Sequence, residues 1–186
     1  MIHDLLKTSK THPLRIDCVE SPYMKGVIGM TLCPGRRGPS YGGGRWERDL
    51  DTDLEAVRAW QPTVVIALLE AREYAMLEIP QFQAATIEAG LPWLFLPIPD
   101  GGVPDAEFSE TWRRVGPDIR NGLRRGGRVL IHCKSGLGRT GMLAAALLVE
   151  LGTAPQDAIT RVRASRANTI ERPQEDYVRA RRALAP

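Results

Sequence analysis

Apolar positions along this 186-residue chain fall in short runs punctuated by glycine and proline. Pro62–Leu69, Trp93–Leu96 and the run opening at Val129 have strand length and little internal alternation. Such runs suit strands buried on both faces, as in a parallel sheet. Arg15–Val19 and Gly26–Leu32 read as two further strands, separated by a turn around Ser21–Pro22. Helical spacing fills the gaps. Leu50 to Trp60 sets Leu54, Val57 and Trp60 roughly on one face, with Asp49 or Asp51 near its start. Glu70–Tyr74 opens a short helix, and Gln81–Ala89 is closed by Gly90. Glu107 to Arg125 is long and amphipathic, with an interruption expected near Gly116–Pro117. Met142–Val149 reads as a buried helix, while Pro155–Ala164 and Pro173–Ala183 each carry a proline near the start.

Alternating strands and helices predict an α/β fold with a mostly parallel central sheet, helices on both faces and right-handed connections. Nothing divides residues 1–186, which read as a single domain behind a loose lead-in at 1–13. Cys33–Gly44, rich in glycine and proline, reads as a mobile loop. Arg36 and Arg37 within it are expected on the surface, with contact to a substrate phosphate as the alternative.

Composition narrows the classes. Hydrophobic content of 43% and charged content of 25% fit an ordinary soluble domain. No apolar signal core opens the chain and no run approaches the roughly 20 residues that span a bilayer. A cytoplasmic protein without membrane insertion is expected. Net charge is only +3, yet arginines crowd 113–128 and 161–182. These read as solvated helix faces, with a basic rim steering an anion as the alternative. Aromatics are sparse among them, which argues against nucleic acid. Cys18, Cys33 and Cys133 show neither pairing nor metal spacing, so no disulfide framework and no metal site is expected. Cys18 and Cys33 read as core residues, with a protective disulfide to Cys133 as the alternative.

The chemistry concentrates in Val129-Leu-Ile-His-Cys-Lys-Ser-Gly-Leu-Gly-Arg-Thr-Gly141. A strand runs into a glycine-rich turn and then a helix. Five residues between Cys133 and Arg139 let successive N–H groups converge into an anion nest, at which the helix N-terminus also points. That setting favours a thiolate at Cys133. Arg139 can fork two phosphoryl oxygens, and the thiolate can attack phosphorus to give a cysteinyl-phosphate. Thr140 is placed to hydrogen-bond the sulfur and ease its departure. Departure of the substrate's alkoxide or phenoxide needs a proton, and Asp100 and Asp105 both sit on the loop leaving the Trp93–Leu96 strand. Gly101–Gly102 can hinge that loop. Glu73 follows another strand end, and a structural pairing with an arginine is expected of it.

His132–Thr140 resembles the signature loop of the cysteine-dependent protein tyrosine and dual-specificity phosphatases. Pro97-Ile-Pro-Asp-Gly-Gly-Val-Pro-Asp105 resembles the general-acid loop of their kinase-associated phosphatase subgroup. The resemblance implies a metal-independent phosphomonoester hydrolase without cofactor, in a fold of dual-specificity size. It makes Cys133 the nucleophile, Arg139 the phosphate clamp and Asp100 the acid, with Asp105 as fallback or helix cap. Lys134, Ser135, Gly136, Leu137 and Gly138 would cradle the phosphate, and His132 would order the loop. Ile170–Tyr177 resembles the segment whose glutamine positions the hydrolytic water, which points to Gln174. Lys134 departs from the neutral residue many such loops carry. Lipid-directed relatives can carry lysines in this loop, but Leu137 lies where a second lysine would strengthen that reading. Lipid, inositol or RNA 5′-phosphate substrates stay open beside phosphoprotein, and the kinase-partner flavour of the resembled subgroup leaves a non-catalytic phosphoprotein-binding adaptor open too. A monomer with a shallow to intermediate pocket and broad specificity is expected.

Overall fold

Side-chain alternation along each strand decides which layer of the molecule a residue fills. The structure, a computed structural model, describes residues 6–40 and 43–184. Its central sheet holds β2 (Asp17–Val19), β3 (Val27–Leu32), β6 (Val64–Ala67), β7 (Trp93–Phe95) and β8 (Arg128–Cys133), in the order β2-β3-β8-β6-β7. Only β2 runs antiparallel. Ile28, Met30, Val129, Ile131 and Cys133 pack into one apolar layer with α4 (Ala106–Arg124), α5 (Gly138–Leu151), α6 (Pro155–Ser165) and α7 (Arg172–Arg179). Leu130, Val65 and Cys33 pack into the opposite layer with α1 (Leu50–Ala59), α2 (Ala71–Met76) and α3 (Phe82–Glu88). Helices on both faces explain why the strands read as unbroken apolar runs rather than alternating ones.

β8 lies at the centre, between β3 and β6, and its register sets Cys133 opposite Leu32. Every residue of α5 from Arg139 to Leu151 is buried, so the helix that follows Cys133 is fixed on all sides. Burying one Leu or Ile contributes about 1.5–3 kcal/mol, so burial along its whole length anchors this helix firmly behind the loop.

Five expectations change. Cys18 on β2 is exposed, not a core residue. α4 runs unbroken through Pro117. Its buried stripe of Phe108, Trp112, Ile119 and Leu123 outweighs the single hydrogen bond that proline removes. β7 is a short edge strand with Phe95 exposed, not a buried one. The glycine-rich segment after β3 carries β4 (Arg37–Pro39), which pairs with β5 (Arg45–Glu47); Tyr41 and Gly42 lie outside the described residues. The lead-in contributes β1 (Leu6–Lys7), which completes this small sheet beside β5, while residues 1–5 lie outside the described ones. Among the described residues no helix is long and apolar enough to cross a membrane.

Candidate active site

Cys133 ends β8 at the carboxyl edge of the sheet, where open α/β sheets bind their ligands. The turn after it is shaped by close approach. Gly136 has φ +70°, and a Cβ there would lie 2.3 Å from the Thr31 carbonyl oxygen of β3. Two arginines hold the outer side of the same turn. Arg36 Nη1 donates to the Lys134 carbonyl at 2.9 Å, and Arg166 Nη2 donates to the Ser135 carbonyl at 3.2 Å. Two carbonyls of the turn are thus taken up by side chains from other segments. Cys133, Lys134, Ser135, Leu137, Gly138 and Arg139 line this cleft of about 190 Å³ together with Asp100 and Gln174. Gly136 packs against β3 instead of lining it.

Arg139 is buried and held from several directions. Glu73 takes Nη1 at 2.6 Å and Nη2 at 2.8 Å, and the carbonyls of Ile98 and Leu68 accept from Nη1. Nη2 also meets Asp100 Oδ1 at 2.9 Å. The guanidinium is thereby fixed in the cleft through the arginine pairing expected of Glu73. Burial works against the Glu73 carboxylate, but hydrogen bonds from Arg139 and the Glu70 N–H, together with the charges of Arg139 and Lys134, hold its pKa below the usual value. Arg139 is likewise opposed by burial, yet Glu73 holds its pKa above normal and keeps it charged.

Asp100 reaches the cleft, with Lys134 Nζ 3.9 Å from its second oxygen. Asp105 does not. It caps α4, accepting from the Phe108 N–H at 2.8 Å. Gln174 is fully buried at the cleft wall. Its Oε1 accepts from the Glu171 N–H at 3.0 Å and its Nε2 donates to the Gly102 carbonyl at 3.2 Å, tying α7 to the loop that carries Asp100. His132 lies beneath the loop with its ring 5.3 Å from Phe82, and burial pushes its pKa down to about 3, so it is neutral. The hydroxyl of Thr140 is buried without a hydrogen-bond partner, so the expected contact to the Cys133 sulfur is not made.

Two residues at the site escaped the sequence reading. Arg36 is 3% exposed, far from the surface position expected for it. Arg166 reads as one more charge on a basic helix, but Asp17 and the Ser135 carbonyl hold it against the loop. No local pattern marks either, because their partners lie far away in sequence.

The fold and the loop are those of the cysteine-dependent phosphatases as a class. Residues 47–153, more than half of the chain, match the family described as Tc-R-P, polymorphic toxin system, DSP-PTPase phosphatase, and the chain belongs to that family. It is similar to the probable protein tyrosine phosphatase type IVA B of Dictyostelium discoideum, 37% identical over 86 residues, covering 45% of this chain and 52% of that protein. It is 30% identical over 118 residues to rat (Rattus norvegicus) cyclin-dependent kinase inhibitor 3, covering 62% of this chain and 54% of the relative. The chain thus spans about half the length of these curated relatives. A crystal structure of kinase associated phosphatase, with its catalytic-site cysteine replaced by serine, has a TM-score of 0.76 at 23% identity, covering 89% of this chain and 92% of that one. At that identity the likeness shows the fold.

Proposed function

We propose that the protein is a metal-independent phosphomonoester hydrolase acting on phosphorylated protein, of the protein tyrosine or dual-specificity type. The observation that carries this reading is the meeting of Arg139 and Asp100, 2.9 Å apart, in the cleft floored by Cys133. Cys133 as thiolate attacks phosphorus, forming an S–P bond while the bond to the substrate oxygen breaks. Asp100 in its acid form gives its proton to that oxygen. The resulting Asp100 carboxylate takes a proton from water, whose oxygen then attacks phosphorus and expels the thiolate. Arg139 and the N–H groups of residues 134–139 hold the equatorial oxygens throughout. Gln174 bears on the second step through its place at the wall, beside the loop it anchors. His132 contributes as a neutral packing group under the loop.

Phosphoprotein is favoured as substrate because the matched family is described as a DSP-PTPase phosphatase and the Dictyostelium relative as a probable protein tyrosine phosphatase. An adaptor reading is disfavoured, since nucleophile, clamp and acid are all present. The test is turnover of para-nitrophenyl phosphate with a chelator present. Wild type should turn over, and Cys133→Ser should lose activity by at least about a thousandfold while still binding vanadate or tungstate. Full activity in Cys133→Ser would remove the mechanism. A monomer in the cytoplasm, folded as one domain, completes the proposal; sedimentation as a dimer at micromolar concentration would correct its first part.

A further inference from the structure

A second cavity of about 320 Å³ adjoins the first, and Lys134 lines both. Its cations are Arg36, Arg37 and Lys134, and its apolar walls are Pro39, Met76 and Leu77. Among the described residues that line it, none is acidic. The carboxylates bearing on these cations come from outside it. Asp49 senses the charge of Arg37, and Asp100 stands 3.9 Å from Lys134. Arg36 is committed to holding the Lys134 and Pro39 carbonyls. Arg37 is half-buried, and its Nε is shielded from solvent without a hydrogen-bond partner. The Arg37 and Lys134 cations that line the cavity can receive an acceptor there. Met76, 69% exposed at the rim, offers an adaptable apolar contact.

The cleft's other flank differs. The larger cavity beyond Leu137 also holds arginines, but Asp53 pairs with Arg48, and Asp17 pairs with both Arg15 and Arg166. Its charge is already answered. An anion is therefore drawn to the Arg37 side.

We propose that the cavity of Arg37, Lys134, Met76 and Leu77 is a specificity subsite for an acidic side chain flanking the phosphorylated residue of a polypeptide substrate. The proposal rests on the phosphatase reading above. Apolar walls under a cationic rim fit a side chain with a hydrocarbon stem and an anionic end. An inositol ring, hydroxylated on every side, would leave Met76, Leu77 and Pro39 without a match.

The test uses phosphotyrosyl peptides that differ at one flanking position, glutamate against alanine, moved stepwise along the peptide, with para-nitrophenyl phosphate as the reference. In wild type the best-placed glutamate should raise kcat/KM about tenfold through KM, the scale of a partly desolvated charge pair. The gain should shrink at high salt. Arg37→Gln should abolish it with para-nitrophenyl phosphate turnover unchanged, and Arg37→Lys should restore part of it. Equal rates for glutamate and alanine peptides at every position, or a gain that survives Arg37→Gln, would overturn the subsite. So would a short-chain phosphoinositide hydrolysed faster than the best peptide with its advantage lost in Arg37→Gln, since that assigns the cavity to a lipid headgroup. Loss of all turnover in wild type would instead count against the phosphatase reading itself.

Discussion

Single residues here hold two kinds of charge relationship, one permanent and one exchangeable. Glu73 and Arg139 are both buried, with two hydrogen bonds between them. Removing one charge of such a pair leaves the other uncompensated, at a cost of about 3–5 kcal/mol. Glu73→Gln should lower the unfolding free energy by that order in urea and reduce kcat/KM at least about a hundredfold, because the clamp loses its orientation. A variant with normal turnover would show that Arg139 is held by the Ile98 and Leu68 carbonyls alone. Asp100 is different. It is exposed at the cleft mouth and occupies Arg139 Nη2, where a phosphoryl oxygen would bind. Asp100→Asn should therefore separate two effects. Turnover of an alkyl phosphate should fall by about 10²–10⁴-fold through loss of the acid, while vanadate should bind more tightly because its competitor for the guanidinium has lost its charge. Weaker vanadate binding would mean that Asp100 supports the arginine rather than competing with the anion.

At the scale of elements, the loop between β8 and α5 owes its shape to what surrounds it. Its inner side is pressed onto β3 at Gly136, and its outer carbonyls are taken by Arg36 from the segment after β3 and by Arg166 from the end of α6. Gly136→Ala would set a methyl group inside the Thr31 carbonyl at a φ that disfavours side chains. It should cost about 2–4 kcal/mol and abolish vanadate binding, as read by thermal melting with and without the anion. An alanine variant that melts and binds like wild type would show that the turn relaxes freely away from β3. The loop that carries Asp100 is placed by a comparable device, since Gln174 joins the first turn of α7 to the Gly102 carbonyl.

For the molecule as a whole, burying these groups sets its response to acid. His132 is pushed down to about 3, first by burial and then by the charge of Arg139. The unfolded chain takes up that proton below roughly pH 6.5 and the folded one does not, so the stability is present above that pH and lost as pH falls. Glu73, also lowered, adds a loss in the same direction further down. The urea midpoint should hold steady near neutrality and decline below about pH 6.5, at up to about 1.4 kcal/mol per pH unit. His132→Leu should delay the decline into the carboxylate range, and an unchanged onset would mean that the histidine is not the group responsible. The strands of the central sheet, most helices and the turn between Cys133 and Arg139 were legible because each depends on residues adjacent in sequence: apolar period, glycine placement, a helix following a strand. The burial of Arg36, the anchoring by Arg166, the edge position of β7 and the continuity of α4 through Pro117 were not. Each is a balance struck between segments distant in the chain, where packing and the need to satisfy buried polar groups override local preference. The sequence alone thus determined that Cys133 and Arg139 stand at the two ends of one turn between a strand and a helix. Only the tertiary structure decided which arginines hold that turn, because a guanidinium's role depends on the carboxylates and carbonyls that folding brings against it.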